Sequence, residues 1–253
     1  MHYKFAQERF DYSDLSSGRV FYSRPGHPAF PVRLASEIFQ RCLALCRTNQ
    51  LISPCVVYDP CCGAAYHLSV LAYLHWQSIC EVIGSDVNGE AILLAKRNLG
   101  LLSSDGMNRR IAEISEMLRL YGKESHKVAL DSACRMRDRI DTMASGHSLT
   151  TRAFQASALD GRTLGENFKS NRVDIIFADV PYGWHSRWHE PDSDKEPANP
   201  VGRMLNALQG VLLPTSIVAI VSDKRQKIPY DRYQRIEQFQ VGKRRVVILR
   251  PAT

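Results

Sequence analysis

The 253-residue sequence lacks several common features, and each absence narrows its class. No stretch reaches eighteen consecutive apolar residues, so no membrane-spanning helix is expected. The N-terminus, Met1–His2–Tyr3–Lys4–Phe5–Ala6–Gln7–Glu8, has no apolar core of the kind that targets chains for secretion, and a soluble cytoplasmic protein is expected. The seven cysteines include no Cys-x-x-Cys pair, and their odd number argues against a disulfide framework. Cys42 and Cys46 lie one helical turn apart and the others are scattered, which suits reduced thiols packed as small apolar residues. Eight histidines form no metal-ligand spacing, so no metal is expected. The nicotinamide fingerprint Gly-x-Gly-x-x-Gly is missing too: in the one turn of that type only Gly63 is present, with Ala65 and Leu68 where further glycines belong.

What the chain does have is an apolar share of 44% and a net charge of +7, with a pI of about 9.1. That length and composition support one sizeable α/β core. The positive charge is uneven. From Ser222 to Thr253 nine basic residues face three acidic ones, a net +6, and Arg19, Arg24, Arg33 and Arg41 stand against Glu37 near the other end. A polyanionic partner fits this distribution better than a small neutral metabolite does.

The organising stretch is Val56–Val57–Tyr58–Asp59–Pro60–Cys61–Cys62–Gly63–Ala64–Ala65–Tyr66, followed by the apolar-rich Leu68 to Leu74. It reads as a strand ending in a carboxylate, a tight turn of small residues, and a helix start. In an open α/β sheet such a turn lies at the carboxyl edge of a strand, where small residues let a ligand approach the backbone. Glu81–Val82–Ile83–Gly84–Ser85–Asp86 repeats the pattern, and an acid at that place accepts hydrogen bonds from ribose hydroxyls. The acid, the proline-cysteine-glycine turn and the second acid together resemble an S-adenosylmethionine-dependent methyltransferase.

Along the rest of the chain, residues 1–29 read as an extension, with a hairpin expected across Val20–Phe21–Tyr22, and 30–253 as the main domain. Leu34, Ile38, Cys42 and Leu45 share a helical face. A helix is expected from Asn88 to Leu101. Two amphipathic helices then form an insertion at about 102–147, with Ile111, Ile114, Leu118 and Tyr121 on one and Ala129, Ala133, Met136, Ile140 and Met143 on the other. Strands are expected at Thr150–Ala156, Val173–Asp179 and Ser216–Val221, with a helix over about 202–213. The run Gly242 to Leu249 should pair antiparallel near the sheet edge. The alternation predicts a mostly parallel, Rossmann-like doubly wound sheet.

The second chemical signal is Asp179–Val180–Pro181–Tyr182 at a strand's end, which resembles the Asp/Asn-Pro-Pro-Tyr signature of amino-group methyltransferases. An acceptor such as Asp179 can hold a base N–H and orient the nitrogen lone pair. The proline leaves backbone carbonyls aimed at the ligand, and Tyr182 can stack on a planar base. Cytosine C5 chemistry needs a cysteine beside the base, whereas Cys61 lies in the first turn. Trp184 and Trp188 follow closely and suit either stacking on neighbouring nucleotides or a packed lid. His185 and His189 read as surface residues.

The three stretches Pro28–Ala29–Phe30–Pro31–Val32–Arg33–Leu34–Ala35–Ser36–Glu37, Asp59–Pro60–Cys61–Cys62–Gly63 and Asp179–Val180–Pro181–Tyr182–Gly183 resemble the avilamycin-resistance ribosomal RNA methyltransferase family, AviRa. The resemblance runs from about Phe30 to the C-terminus, inserted helices included. It implies a class I methyltransferase fold and methyl transfer from S-adenosylmethionine to a guanine of 23S rRNA, free or in the large ribosomal subunit, conferring orthosomycin resistance. A monomer is the expected state. Asp179, Pro181 and Tyr182 are the implied catalytic set. Asp59, Cys62, Gly63, Ala65, Asp86, Val87, Ser157 and Asp179 are the implied cofactor contacts. Two positions depart from the family pattern. Ala65 replaces a second glycine, which is harmless if its φ stays negative. Ser157 replaces an acid that meets the adenine amine, a role that Asp160 is also placed to fill. An amino-group methyltransferase for DNA and a non-catalytic RNA-binding module are the alternatives.

Overall fold

The structure, a computed structural model, describes residues 3–23, 29–48, 54–168, 173–181, 188, 198–229 and 231–252. Seven strands form one sheet: β1 (Cys55–Asp59), β2 (Ile79–Asp86), β3 (Thr150–Gln155), β4 (Val173–Asp179), β5 (Leu212–Asp223), β6 (Tyr233–Val241) and β7 (Arg244–Pro251). Their spatial order is β3-β2-β1-β4-β5-β7-β6. β1 to β5 run parallel, while β7 lies antiparallel to both β5 and β6. This is the mostly parallel class I methyltransferase arrangement with antiparallel C-terminal strands.

The central strands are apolar on both faces, so adjacent residues enter different cores. Val57, Ile175 and Phe177 pack against α1 (Val32–Thr48), α2 (Tyr66–Leu74) and α3 (Gly89–Gly100). Their neighbours Tyr58, Ile176 and Ala178 pack on the other side against α6 (Gly161–Phe168) and α7 (Pro200–Leu208). Between α3 and β3 stand the two inserted helices, α4 (Ser104–Tyr121) and α5 (Glu124–Ala144). Side-chain caps fix several helix starts: Asn88 accepts from the Ala91 N–H, Ser103 from Gly106, and Asn199 from Gly202, with Pro200 opening α7.

Several expectations need correcting. Val20–Phe21–Tyr22 forms no hairpin. Gly18, at φ +84°, donates its N–H to the Phe21 carbonyl, and the turn drives Val20 and Phe21 fully into the core. The helix expected over 202–213 stops at Leu208, and β5 starts at Leu212, four residues before the expected Ser216. The C-terminal run is β7, antiparallel and next to the edge as expected; the edge strand itself, β6, was not foreseen. Tyr121 faces solvent, although the helical spacing placed it with Ile114.

The N-terminal stretch is bound tightly to the domain. Glu37 on α1 is fully buried and accepts the backbone N–H groups of Lys4, Phe5 and Ala6 at 2.7–2.9 Å. Arg41, one turn on, pairs with it at 2.6 Å and with Glu237 of β6, while Arg33 donates to the carbonyls of Ala6 and Gln7. Burial alone would raise the Glu37 pKa, but the three N–H groups and Arg41 outweigh it and hold the carboxyl below its ordinary value. Replacing Glu37 with Ala strands three N–H groups and removes one of the two carboxylates that pair with buried Arg41. It should cost about 3 kcal/mol or more, read from urea midpoints at pH 7. Because the folded pKa is depressed, this stability is present above the ordinary glutamate value of about 4.3 and is lost as pH falls through the folded one. The gap between wild type and Glu37→Ala should therefore narrow in acid; a constant gap down to acid unfolding contradicts the assignment.

Candidate functional site

The carboxyl ends of β1, β2 and β4 converge on one cavity of about 480 Å³. The turn after β1 forms its floor. Asp59 accepts the N–H of Cys61 at 2.8 Å, which starts the turn, and Cys62 donates its N–H to the Ser85 carbonyl at 2.9 Å. Gly63, at φ +53°, then donates to one carboxylate oxygen of Asp86 at 2.9 Å, and the other oxygen accepts from Asn88. A Cβ built on Gly63 meets nothing within 4 Å, so the glycine leaves open space beside the backbone.

Ala65 also has positive φ, at +52°, against the condition set for it from the sequence. A left-handed alanine costs roughly 1 kcal/mol, and here it is fully buried as the residue before α2. It lies behind the turn and does not line the cavity; nor does Asp59. The other expected cofactor contacts, Cys62, Gly63, Asp86, Val87, Ser157 and Asp179, all line it. Of the two candidates after β3, Ser157 faces the cavity. Asp160 is exposed and spends its carboxylate on Arg162, Thr163 and the start of α6.

Asp59 serves from below. Its carboxylate is 3.0 Å from His67 Nε2, with both groups buried, although the ring N–H is not aligned for a hydrogen bond. Burial raises the Asp59 pKa, and its histidine partner pulls it back. Burial pulls His67 down, but Asp59, Asp179 and the Phe177 carbonyl favour its charged form and win. His67 lines the cavity between the rings of Phe30 and Phe177, at 5.7 and 5.1 Å.

Asp179, Val180 and Pro181 also line the cavity, and Val180 donates its N–H to the Val221 carbonyl at 3.0 Å. Tyr182, Gly183, Trp184, His185 and His189 lie outside the described residues. Trp188 is described: it is buried and lines the cavity, as a packed residue in place of an exposed stacking platform. Among the lining groups that sequence reasoning missed are Ser17, Tyr22, Phe30, His67 and Arg244. The first two come from the N-terminal extension. Asn98 joins that extension to the turn, accepting the Tyr22 N–H and donating to the carbonyls of Tyr22 and Ala64. Among the described residues no group of three or more possible ligands could hold a metal ion, and no helix is long and apolar enough to cross a membrane.

Comparison with known proteins agrees over the full length. The AviRa rRNA methyltransferase family model matches residues 1–244. The chain belongs to the AviRa family. A curated protein of Streptomyces viridochromogenes, the 23S rRNA (guanine(2535)-N(1))-methyltransferase, is 39% identical over 250 residues, which is 99% of this chain and 96% of that one. Two solved structures of the rRNA methyltransferase AviRa from the same organism, at 1.5 and 2.4 Å, match with TM-scores of 0.86 and 0.85. They are 36% and 37% identical, and each match covers 99% of this chain and 96% of that one. Within this AviRa-family fold, the cavity is the candidate active site.

The turn is held from beneath by a residue that no motif marks. A Cβ on Gly84 would lie 2.8 Å from Cys62 Sγ and 3.1 Å from its Cβ. Gly84→Ala should therefore displace the turn at a cost of about 1–3 kcal/mol, measured as a fall in thermal midpoint. Adding Cys62→Ala should return part of that loss. A double variant no more stable than the single one would show that the clash is not with Cys62.

Proposed function

We propose that this chain transfers a methyl group from S-adenosylmethionine to N1 of a guanine in 23S rRNA; the name of its relative states guanine N1 of 23S rRNA for that protein. One observation supports this reading above the others: a single cavity holds both the Gly63–Asp86 turn and the Asp179–Pro181 turn. The first end suits a nucleoside with an amino-acid tail. Asp86 keeps lone pairs for ribose hydroxyls beyond its two backbone bonds, and Val87 and Ser157 flank the place of an adenine. The open space at Gly63 and the first turn of α2, which has no side-chain cap, lie beside the amino-acid end. Bound there, S-adenosylmethionine supplies a sulfonium methyl group whose transfer forms an N–CH3 bond, breaks a C–S bond and leaves a thioether.

A ring N1 asks something different of Asp179 than an exocyclic amine does. The N1 atom of guanine carries a hydrogen, and its electron pair becomes available only when that proton leaves. In this reading Asp179 accepts it; that Asp179 lines the cavity beside the bonded turn of Val180 and Pro181 supports the role. His67 lines the same cavity, and Asp179 is one of the groups that favour its charged form. Outward-facing Lys224, Arg225, Lys227 and Lys243 near the carboxyl edge provide counter-charge for phosphates. Linkage to orthosomycin resistance belongs to the same reading.

Mass spectrometry of 23S rRNA from cells with and without the protein tests the whole reading. A single added methyl on guanine N1 is expected; one on adenine, cytosine or a ribose overturns it. Asp86→Ala tests the cofactor end. Losing charge-assisted hydrogen bonds of about 1.5–3 kcal/mol should weaken S-adenosylmethionine binding more than tenfold by calorimetry. The same change frees the Gly63 N–H, so the thermal midpoint should fall as well. Unchanged cofactor affinity in Asp86→Ala would remove that residue from the site.

A further inference from the structure

Arg244 is the only arginine or lysine among the described residues that line the cavity, and neither the cofactor nor the proton acceptor accounts for it. It opens β7, and its cross-strand partner is Asp223 at the end of β5. The guanidinium carbon lies 5.4 Å from the centre of the Phe30 ring, which itself meets Phe177 at 5.6 Å and His67 at 5.7 Å. The fork is thus seated on an aromatic platform in the cavity that Asp179 and Trp188 also line. Its Nε is buried, yet it has no hydrogen-bond partner among the described residues. A buried donor of this kind, on a planar cation inside a site, suits an acceptor on a bound ligand.

The proposed substrate has such an acceptor pair. Guanine presents O6 and N7 side by side, a match for the two-pronged arginine fork, whereas adenine presents an N6 donor beside N7. The same geometry bears on the reaction. When N1 gives its proton to Asp179, the electron pair left behind is shared between N1 and O6; N1 then takes the methyl. We propose that Arg244 reads the O6 and N7 edge of the target guanine and holds the negative charge that develops on O6 as N1 is deprotonated. The inference rests on guanine N1 being the methylated atom. It adds what that reading does not contain, a residue that distinguishes guanine from adenine and lowers the cost of deprotonation.

The groups facing this part of the cavity from the packed elements are Asp179 of β4, His67 of α2 with Asp59 behind it, Cys61 and Cys62 of the turn, and Asp223 beside Arg244 on β5. All are unchanged in an Arg244 variant, so a difference from wild type reports on the guanidinium. The experiment compares wild type, Arg244→Gln and Arg244→Lys on a 23S rRNA transcript containing the methylated guanine, and on the same transcript with inosine or adenine at that position. Thermal melting first establishes that each variant folds.

For Arg244→Gln, kcat/KM on the guanine transcript should drop at least fiftyfold, with S-adenosylmethionine affinity within about twofold of wild type. The acid limb of its pH–rate profile should move upward by a unit or more, because deprotonation of N1 has lost its cation. Lysine, which keeps the charge without the fork, should recover more of the rate than of the base discrimination. Inosine, which keeps O6 and N7, should remain a substrate of the wild type. The wild type should bind the guanine transcript more tightly than the adenine one, and Arg244→Gln should lose that preference. Loss of cofactor binding in Arg244→Gln would assign the residue to the cofactor's carboxylate and overturn the proposal. So would a rate within threefold of wild type with an unmoved acid limb. Failure of the parent reading appears separately, as methylation of another atom by the wild type.

Discussion

The contact on which the site depends is the hydrogen bond from the Gly63 N–H to the Asp86 carboxylate, with the Cys62 N–H on the Ser85 carbonyl just before it. β1 and β2 are parallel; β1 ends at Asp59 opposite Gly84, and β2 runs two residues further to Asp86. The chain leaving β1 therefore turns across the last two residues of β2. Gly84 gives it room, Asp59 fixes its first N–H, and left-handed Gly63 and Ala65 close it into α2. Each of these costs something alone: a buried carboxylate, a buried histidine and a left-handed alanine. Together they place an acid and an open backbone on one face of one cavity.

The second constraint is the N-terminal extension, which forms one wall of the site. Glu37 holds its start, and Asn98 holds its end to the carbonyl that precedes Ala65. Tyr22 is clamped between Arg97 and Arg110, at 3.8 and 4.3 Å, and its hydroxyl donates to Glu113 on α4. Arg110 also donates to the Val20 carbonyl, and Arg135 of α5 pairs with Asp14 at 2.6 Å. The inserted helices thus act as the surface on which the extension is laid. Arg110 and Arg135 on these helices are thus fasteners of that wall.

Much of this was legible beforehand. Strands buried on both faces announce themselves as unbroken apolar runs, as in Ile175–Ile176–Phe177. Helices long enough for several turns show their period, as α4 and α5 do. β6 was not legible because an edge strand alternates polar residues with few apolar ones, here Tyr233–Gln234–Arg235–Ile236–Glu237. α6 was missed because eight residues containing Gly161 and Gly165 carry too little helical pattern. At the site, motif reasoning found the residues in the two turns and Ser157 after β3. It could not find groups delivered from distant sequence, such as Phe30, His67 and Arg244. Ala65 was misjudged because backbone sign follows from the turn's hydrogen bonds and not from the residue's own preference.

The basic C-terminal stretch illustrates the same limit from another side. As a composition it is a net +6 and suggests a uniform polyanion-binding tail. In the fold it divides: Lys224, Arg225, Lys227 and Lys243 face outward, Arg245 donates to the Gln226 carbonyl, and Arg244 enters the cavity. The cause is topological. In a parallel sheet every strand presents its last residue at the ligand-binding edge, and four of the five parallel strands here end in an acid: Asp59, Asp86, Asp179 and Asp223. Only a strand running the other way can bring its first residue to that edge. β7 does so, and Arg244 is the residue it brings. An all-parallel sheet with these strand ends would gather carboxylates without a cation; the reversed strand supplies the one guanidinium among the described residues of the cavity.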